Sequence, residues 1–423
     1  MPSVRCLVLI ALLVGVLVPG DVLGQGSKGS PKKKPKLKSS VAGIVTPAGI
    51  GEFASENFLV RTDLAEDEAK ELLDRLEKML VLVARYYGKP NSQIIEMNVV
   101  QNRDRWPQNS IPAAAMPSIQ NDAGITLSVT RALQNELGEK QITAAKSVVW
   151  AVPQRGIPQH EAVHAYCHQN FGRTGPTWYA EGMAELGAHW RENDVSLQIS
   201  DEMMNYLKSS KPKDLLEITA PGQKTGDSWQ NYAWRWALCH LLSTNPNYAP
   251  RFKPLGMALL NDQRTSFEEV YGSMAKEIEF EYQFFLRHMN QGYRSDLCAW
   301  DWKSKFQRQR GPGGVQMKVV ANRGWQATRL QIKKGDKISC VATGEWELGK
   351  SEPKVGPQGD ETGRGRLEAV IFADYQLSDP LELGSEGDFE AKMDGNLFVR
   401  CRDDWGEIAD NSGVVSARLK IVP

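Results

Sequence analysis

The spacing of apolar positions changes repeatedly along the 423-residue chain, and each change predicts a different kind of element. After Arg5 comes an unbroken apolar run, CLVLIALLVGVLV, from Cys6 to Val18. Residues 25–55 then show no periodicity. NFLVRT, IIEMNVVQN, AGITLSVT and KSVVWAV carry strand character. DLAEDEAKELLDRLEKMLVLVARYYG places leucines and valines at helical spacing and ends at Gly88 and Pro90, as helix stop signals require. Further helices are expected over GIPQHEAVHAYCHQNFG, with Pro158 early and Gly172 late, over GPTWYAEGMAELGAHW, over WQNYAWRWALCHLLS and over FEEVYGSMAKEIEFEYQFFLRHM. Beyond GPGGV at 311–315 the pattern becomes strict alternation broken by Gly and Asp turns, as expected for an antiparallel sandwich of residues 315–423. The fold class expected is α+β: a mixed sheet with helices over residues 56–305, then an all-β sandwich.

The first apolar run is too short for a spanning helix. With Pro19, Gly20 and Gly24 behind it, it reads as a signal peptide of residues 1–24. The expected location is therefore secreted or periplasmic, with no stable membrane span. GSKGSPKKKPKLKSS has lysines, prolines and no acidic residue, so residues 25–55 read as a solvated linker. With 51 basic and 51 acidic residues, the balance argues against nucleic acid as a partner. Five cysteines follow the leader, and an odd number leaves at least one thiol unpaired within a monomer. Cys340 and Cys401 both fall on the apolar phase of their strands, where they could pair or simply pack.

The candidate chemistry lies in HEAVH, residues 160–164. On a helix His160 and His164 are one turn apart on one face, so both imidazoles can reach a single tetrahedral ion. Glu161, beside the first of them, can act as general base on water. A third protein ligand is needed, and Glu181 and Glu185 in the next expected helix offer carboxylates one turn apart. His168 continues the series, but eight helical residues span about 12 Å, too far to share an ion with His160. His168, His189 and His240 are therefore expected to be ordinary packing or surface residues.

HEAVH followed by Trp178-Tyr-Ala-Glu181-Gly-Met-Ala184 resembles the gluzincin zinc metallopeptidases, the thermolysin-like and aminopeptidase-like clan. The resemblance covers roughly residues 56–305 and is strongest at 148–190. It implies a two-part catalytic domain, zinc held by His160, His164 and Glu181, Glu161 as the base, and Glu185 as an acceptor that orients a ligand imidazole. It also implies an oxyanion-stabilising Tyr or His from a later helix, for which Tyr232 is the candidate. Trp229, Tyr232 and Trp236 also recur at helical spacing, which equally suits a core face. AGITLSVT is the candidate edge along which a peptide or protein substrate would add as a strand.

In the last hundred residues, VVANRGWQATRLQIKKGDKISCVATGEWEL, then VGPQGD, then RDDWGEIADNSG, resemble the calcium-dependent galactophilic bacterial lectins. That resemblance implies calcium bound by the side chains of Asp403, Asp410 and Asn411 and the main-chain carbonyl of Glu407, with a glycan as ligand. One departure stands out: after VGPQGD that family has a sugar-contacting histidine, whereas here ETGRGR follows. The combined expectation is a secreted zinc metallopeptidase with a carbohydrate-binding-like domain for targeting. The alternative is a non-catalytic secreted glycan- or surface-binding protein built on a peptidase-like scaffold.

Overall fold

In the computed structural model, residues 49–134, 140–220, 229–309 and 313–422 are described. The expected signal peptide, residues 1–24, and most of the expected linker lie outside the described residues. The chain divides at Thr174/Gly175 into two units.

In the first unit a five-stranded sheet has the order β1-β2-β3-β5-β4, with β1 at Gly51–Ala54, β2 at Phe58–Thr62, β3 at Ile95–Val99, β4 at Ile125–Gln134 and β5 at Lys140–Ala151. The β2/β3 and β3/β5 pairs are parallel; β1/β2 and β4/β5 are antiparallel. The central strand β3 is buried along its whole length, as both-face coverage requires. Strand β1 falls inside the stretch expected to be linker. Its pairing with β2 is what makes GEFA a strand, since its own residues hardly specify one.

Helix α1, Glu66–Tyr87, begins with Glu66, Asp67 and Glu68, which suit the positive end of the helix dipole. It stops at Gly88, whose φ of 70° is the left-handed conformation that glycine adopts without steric cost. A short helix α2 spans Met116–Gln120. Helix α3, Ile157–Phe171, is buried over almost its whole length and packs on β5 and β4.

The second unit holds a helical part and a β sandwich. The helices are α4 (Thr177–Ala188), α5 (Asp201–Ser209), α6 (Leu215–Thr219), α7 (Trp229–Thr244), α8 (Ala249–Leu260), α9 (Phe267–Tyr271) and α10 (Ala275–His288). The segment FEEVYGSMAKEIEFEYQFFLRHM is not one helix. A 3-10 turn at Gly272–Met274 separates α9 from α10.

The sandwich has β6 (Val315–Val320), β7 (Gln326–Ile332), β8 (Lys337–Glu347), β9 (Leu367–Ala373), β10 (Gln376–Leu377), β11 (Leu381–Glu382), β12 (Glu386–Glu390), β13 (Gly395–Cys401) and β14 (Ser412–Val422). One sheet runs β12-β8-β14-β6. The other runs β10-β9-β13-β7, with β11 on β9. Alternate residues of both sheets, including Ile338, Cys340, Leu397, Cys401, Val415 and Leu419, form one core. The five described cysteines are buried and unpaired, so Cys340 and Cys401 act as small apolar side chains.

Helical part and sandwich share a second aromatic core of Phe284, Trp300, Trp325, Val370 and Phe398. Beside it the buried Glu281 carboxylate accepts bonds from Asn245 (2.5 Å), Asn247 (3.0 Å), Tyr248 (2.7 Å), the Trp300 amide (3.1 Å) and Trp302 (2.7 Å). Burial nevertheless raises its pKa above the usual carboxylate range, against the effect of those donors. The molecule is thus α+β with a sheet-rich C-terminal region, as expected. Among the described residues no helix is long and apolar enough to cross a membrane.

Candidate metal centre and lectin-like loop

The metal-binding side chains expected from the sequence do converge. Ligand atoms of His160, His164 and Glu181 all lie within 4.8 Å of one another, and all three residues are buried. They are the only group of three metal-ligating side chains among the described residues. The two imidazoles meet through their Nε2 atoms at 3.1 Å. Two nitrogens about 2.05 Å from one tetrahedral ion would lie about 3.3 Å apart, so the two imidazoles are spaced to share one tetrahedral metal ion.

Local sequence explains each placement. The four-residue spacing puts His160 and His164 on one face of α3, and Gly172 ends that helix with a φ of 75°. Gly175 and Pro176 turn the chain, and α4 begins at Thr177 with Glu181 facing inward, 1% exposed. Gly182 follows for a packing reason: a Cβ there would sit 2.3 Å from Cys239 Sγ and 2.8 Å from the Arg235 carbonyl. Only a residue without a side chain lets α4 and α7 approach this closely.

Glu161 is buried on α3, 1% exposed. Thr126 of β4 places its Oγ1 2.6 Å from Glu161 Oε2 and 3.0 Å from the Glu161 carbonyl. Gly124 keeps space open beside it, since a Cβ there would lie 2.6 Å from Glu161 Cγ. Sequence reading missed both residues. The signal was present in AGITLSVT: Thr126, Ser128 and Thr130 alternate along β4, and Gly124 just before it keeps the same phase, so they share one face.

His168 is held through both ring nitrogens, by Thr130 Oγ1 (2.8 Å) and Ser147 Oγ (3.1 Å), and Ser128 bonds Ser147 at 2.9 Å. Burial lowers the His168 pKa. It is therefore a packing residue, as expected.

Glu185 lies one turn after Glu181 and pairs with His189 at 3.3 Å. Tyr232 is 5% exposed on α7, with the Arg235 guanidinium 5.6 Å from its ring centroid. His240 is buried against Trp236 and Phe285.

In the sandwich, Asp403 and Asn411 are buried, whereas Glu407 and Asp410 are exposed. Asp403 Oδ1 accepts from Arg364 Nε and from the Asp404 amide, both at 2.9 Å. Asp403 Oδ2 and Asn411 Oδ1 are buried and take no hydrogen bond.

No family model matches the chain, and no curated protein matches it. Among solved structures, the N-terminal domain of EclA, a PllA-like lectin, aligns at 21% identity and a TM-score of 0.21, covering 26% of this chain and 96% of that one. A functionally unknown conserved protein from Bacillus anthracis str. Ames aligns at 13% identity and a TM-score of 0.16, covering 26% of this chain and 22% of that one.

Proposed function

We propose that the protein is a secreted zinc metallopeptidase of gluzincin type. The observation that carries this reading is the buried convergence of His160, His164 and Glu181 beside a buried Glu161. When bound there, zinc supplies Lewis-acid polarisation of a carbonyl and lowers the pKa of water.

The chain's own residues do the rest. Glu161 takes the proton of the attacking water and passes it to the leaving amine, which requires a carboxylate fixed in place. Thr126 supports that carboxylate from the strand side. Strand β4 is at the sheet edge, so a peptide backbone can add along it and come to lie over α3. Tyr232 is the candidate donor to the developing oxyanion. The apolar run from Cys6 to Val18, read as a leader, supports export, and the β sandwich is read as an accessory module.

The test pairs metal analysis with a peptide-library digest of wild type and Glu161→Gln. Expected are about one zinc per chain in both proteins, and hydrolysis that falls about 10²- to 10⁴-fold in the variant with folding intact. A folded protein that holds no zinc and shows no chelator-sensitive hydrolysis would sink this reading.

A further inference from the structure

The loop that resembles a calcium site already contains a cation belonging to the chain. Besides its bond to Asp403, Arg364 donates through Nη2 to the Leu348 carbonyl at 3.2 Å. The same Nη2 lies 3.7 Å from Glu407 Oε2, and Nη1 lies 3.4 Å from Glu352 Oε2. One guanidinium thus faces a buried carboxylate, a main-chain carbonyl and two exposed carboxylates. These partners hold its pKa above the ordinary arginine value, the Asp403 hydrogen bond most of all.

Arg364 is delivered there by a built turn. Asp360 Oδ1 accepts from the Thr362 amide and hydroxyl and from the Arg364 amide, at 2.7–2.9 Å. The Asp360 amide returns a bond to the Arg364 carbonyl at 2.8 Å. Gly363 and Gly365 flank the arginine with φ of 84° and 77°, and a Cβ on Gly365 would lie 2.5 Å from Val355 Cγ2. This is the ETGRGR segment, where the sequence departs from the lectin pattern.

The calcium ligand set implied by the resemblance does not fit. Calcium takes about six to eight oxygens. Here Asp403 Oδ1 is committed to Arg364, Asp410 is exposed, and only Asp403 Oδ2 and Asn411 Oδ1 are buried without a hydrogen bond. A divalent ion at those two oxygens would share Asp403 with a guanidinium of like charge.

We propose that Arg364 stands in for the divalent ion, so that the sandwich is a metal-independent module whose loop is closed by an internal ion pair. A buried carboxylate needs a compensating cation, and arginine is suited to that role because it stays charged and offers several donors in one plane. It follows that this loop does not present a sugar through a shared metal.

The experiment uses the full chain, loaded with zinc, and calcium as the probe. Calcium binding is followed by calorimetric titration, and thermal unfolding is recorded with added calcium or in calcium-depleted buffer free of chelator, for wild type, Arg364→Met and Asp403→Asn. Wild type should bind no calcium at the loop and unfold at the same temperature in both media. Arg364→Met should unfold several degrees lower and recover part of that loss when calcium is added. Stoichiometric calcium binding by wild type that disappears in Asp403→Asn overturns the proposal. So does an Arg364→Met protein as stable as wild type. Should Arg364→Met fail to fold, the wild-type titration against Asp403→Asn decides alone. Neither result bears on the zinc site.

Discussion

Thr126 on the edge strand β4 holds Glu161 on α3, its hydroxyl 2.6 Å from the carboxylate oxygen. The contact fixes the orientation of the proposed base and contributes no atom to the reaction. Thr126→Val keeps the shape and removes the donor. A hydrogen bond to a charged group contributes about 1.5–3 kcal/mol, so kcat should fall about 10- to 100-fold. KM and zinc content should stay near wild type, and Thr126→Ser should recover most of the rate. Loss of zinc or of folding in Thr126→Val would assign the residue a structural role instead.

Gly124 tests the same corner by intrusion. A methyl group there meets Glu161 Cγ at 2.6 Å, Glu161 Oε1 at 2.9 Å and Ile157 Cγ2 at 3.0 Å. Gly124→Ala should therefore displace the base and abolish most hydrolysis. Zinc bound per chain, measured by atomic absorption, should be unchanged, because neither imidazole is among the contacts. Wild-type turnover in this variant would show that Glu161 does not act where it lies.

Gly182 makes a prediction about stability. Its replacement by alanine forces the new methyl group against Cys239 Sγ at 2.3 Å and the Arg235 carbonyl at 2.8 Å. Overpacking of this kind costs about 1–3 kcal/mol, to be read from urea unfolding at constant m. Adding Cys239→Ala should recover only part of the loss, since the carbonyl remains. Full recovery would show that the thiol alone sets the helix spacing.

Much of the donor set was legible because helical periodicity is local. His160 and His164 are four residues apart, and Gly172, Gly175 and Pro176 announce the turn that precedes Glu181. The sandwich was legible for the same reason, with alternation in β8 and β14 reporting which residues face inward. What escaped depends on contacts distant in sequence. GEFA becomes a strand only because β2 lies beside it. Thr126 and Glu161 meet across 35 residues. Asp403 and Arg364 meet across 39, so an acidic loop that reads as a calcium site is closed by an arginine no local pattern points to.

His240 sets a pH dependence of stability. Burial, and next the neighbouring His189, lower its pKa to about 4 from the ordinary histidine value of 6.5. The unfolded chain therefore binds a proton below pH 6.5 that the folded chain refuses until about pH 4. Stability from this residue is complete above pH 6.5 and is lost as pH falls through that window. At 1.36 kcal/mol per pKa unit, the loss between pH 7 and pH 5 is about 2 kcal/mol. His288, also lowered to about 4 chiefly by burial and then by Arg400, adds a loss of the same sign. Urea unfolding across this range should show stability rising with pH. His240→Phe, which keeps an aromatic ring between Trp236 and Phe285, should flatten the slope. An unchanged slope in that variant would mean that His240 takes up its proton without opening the core.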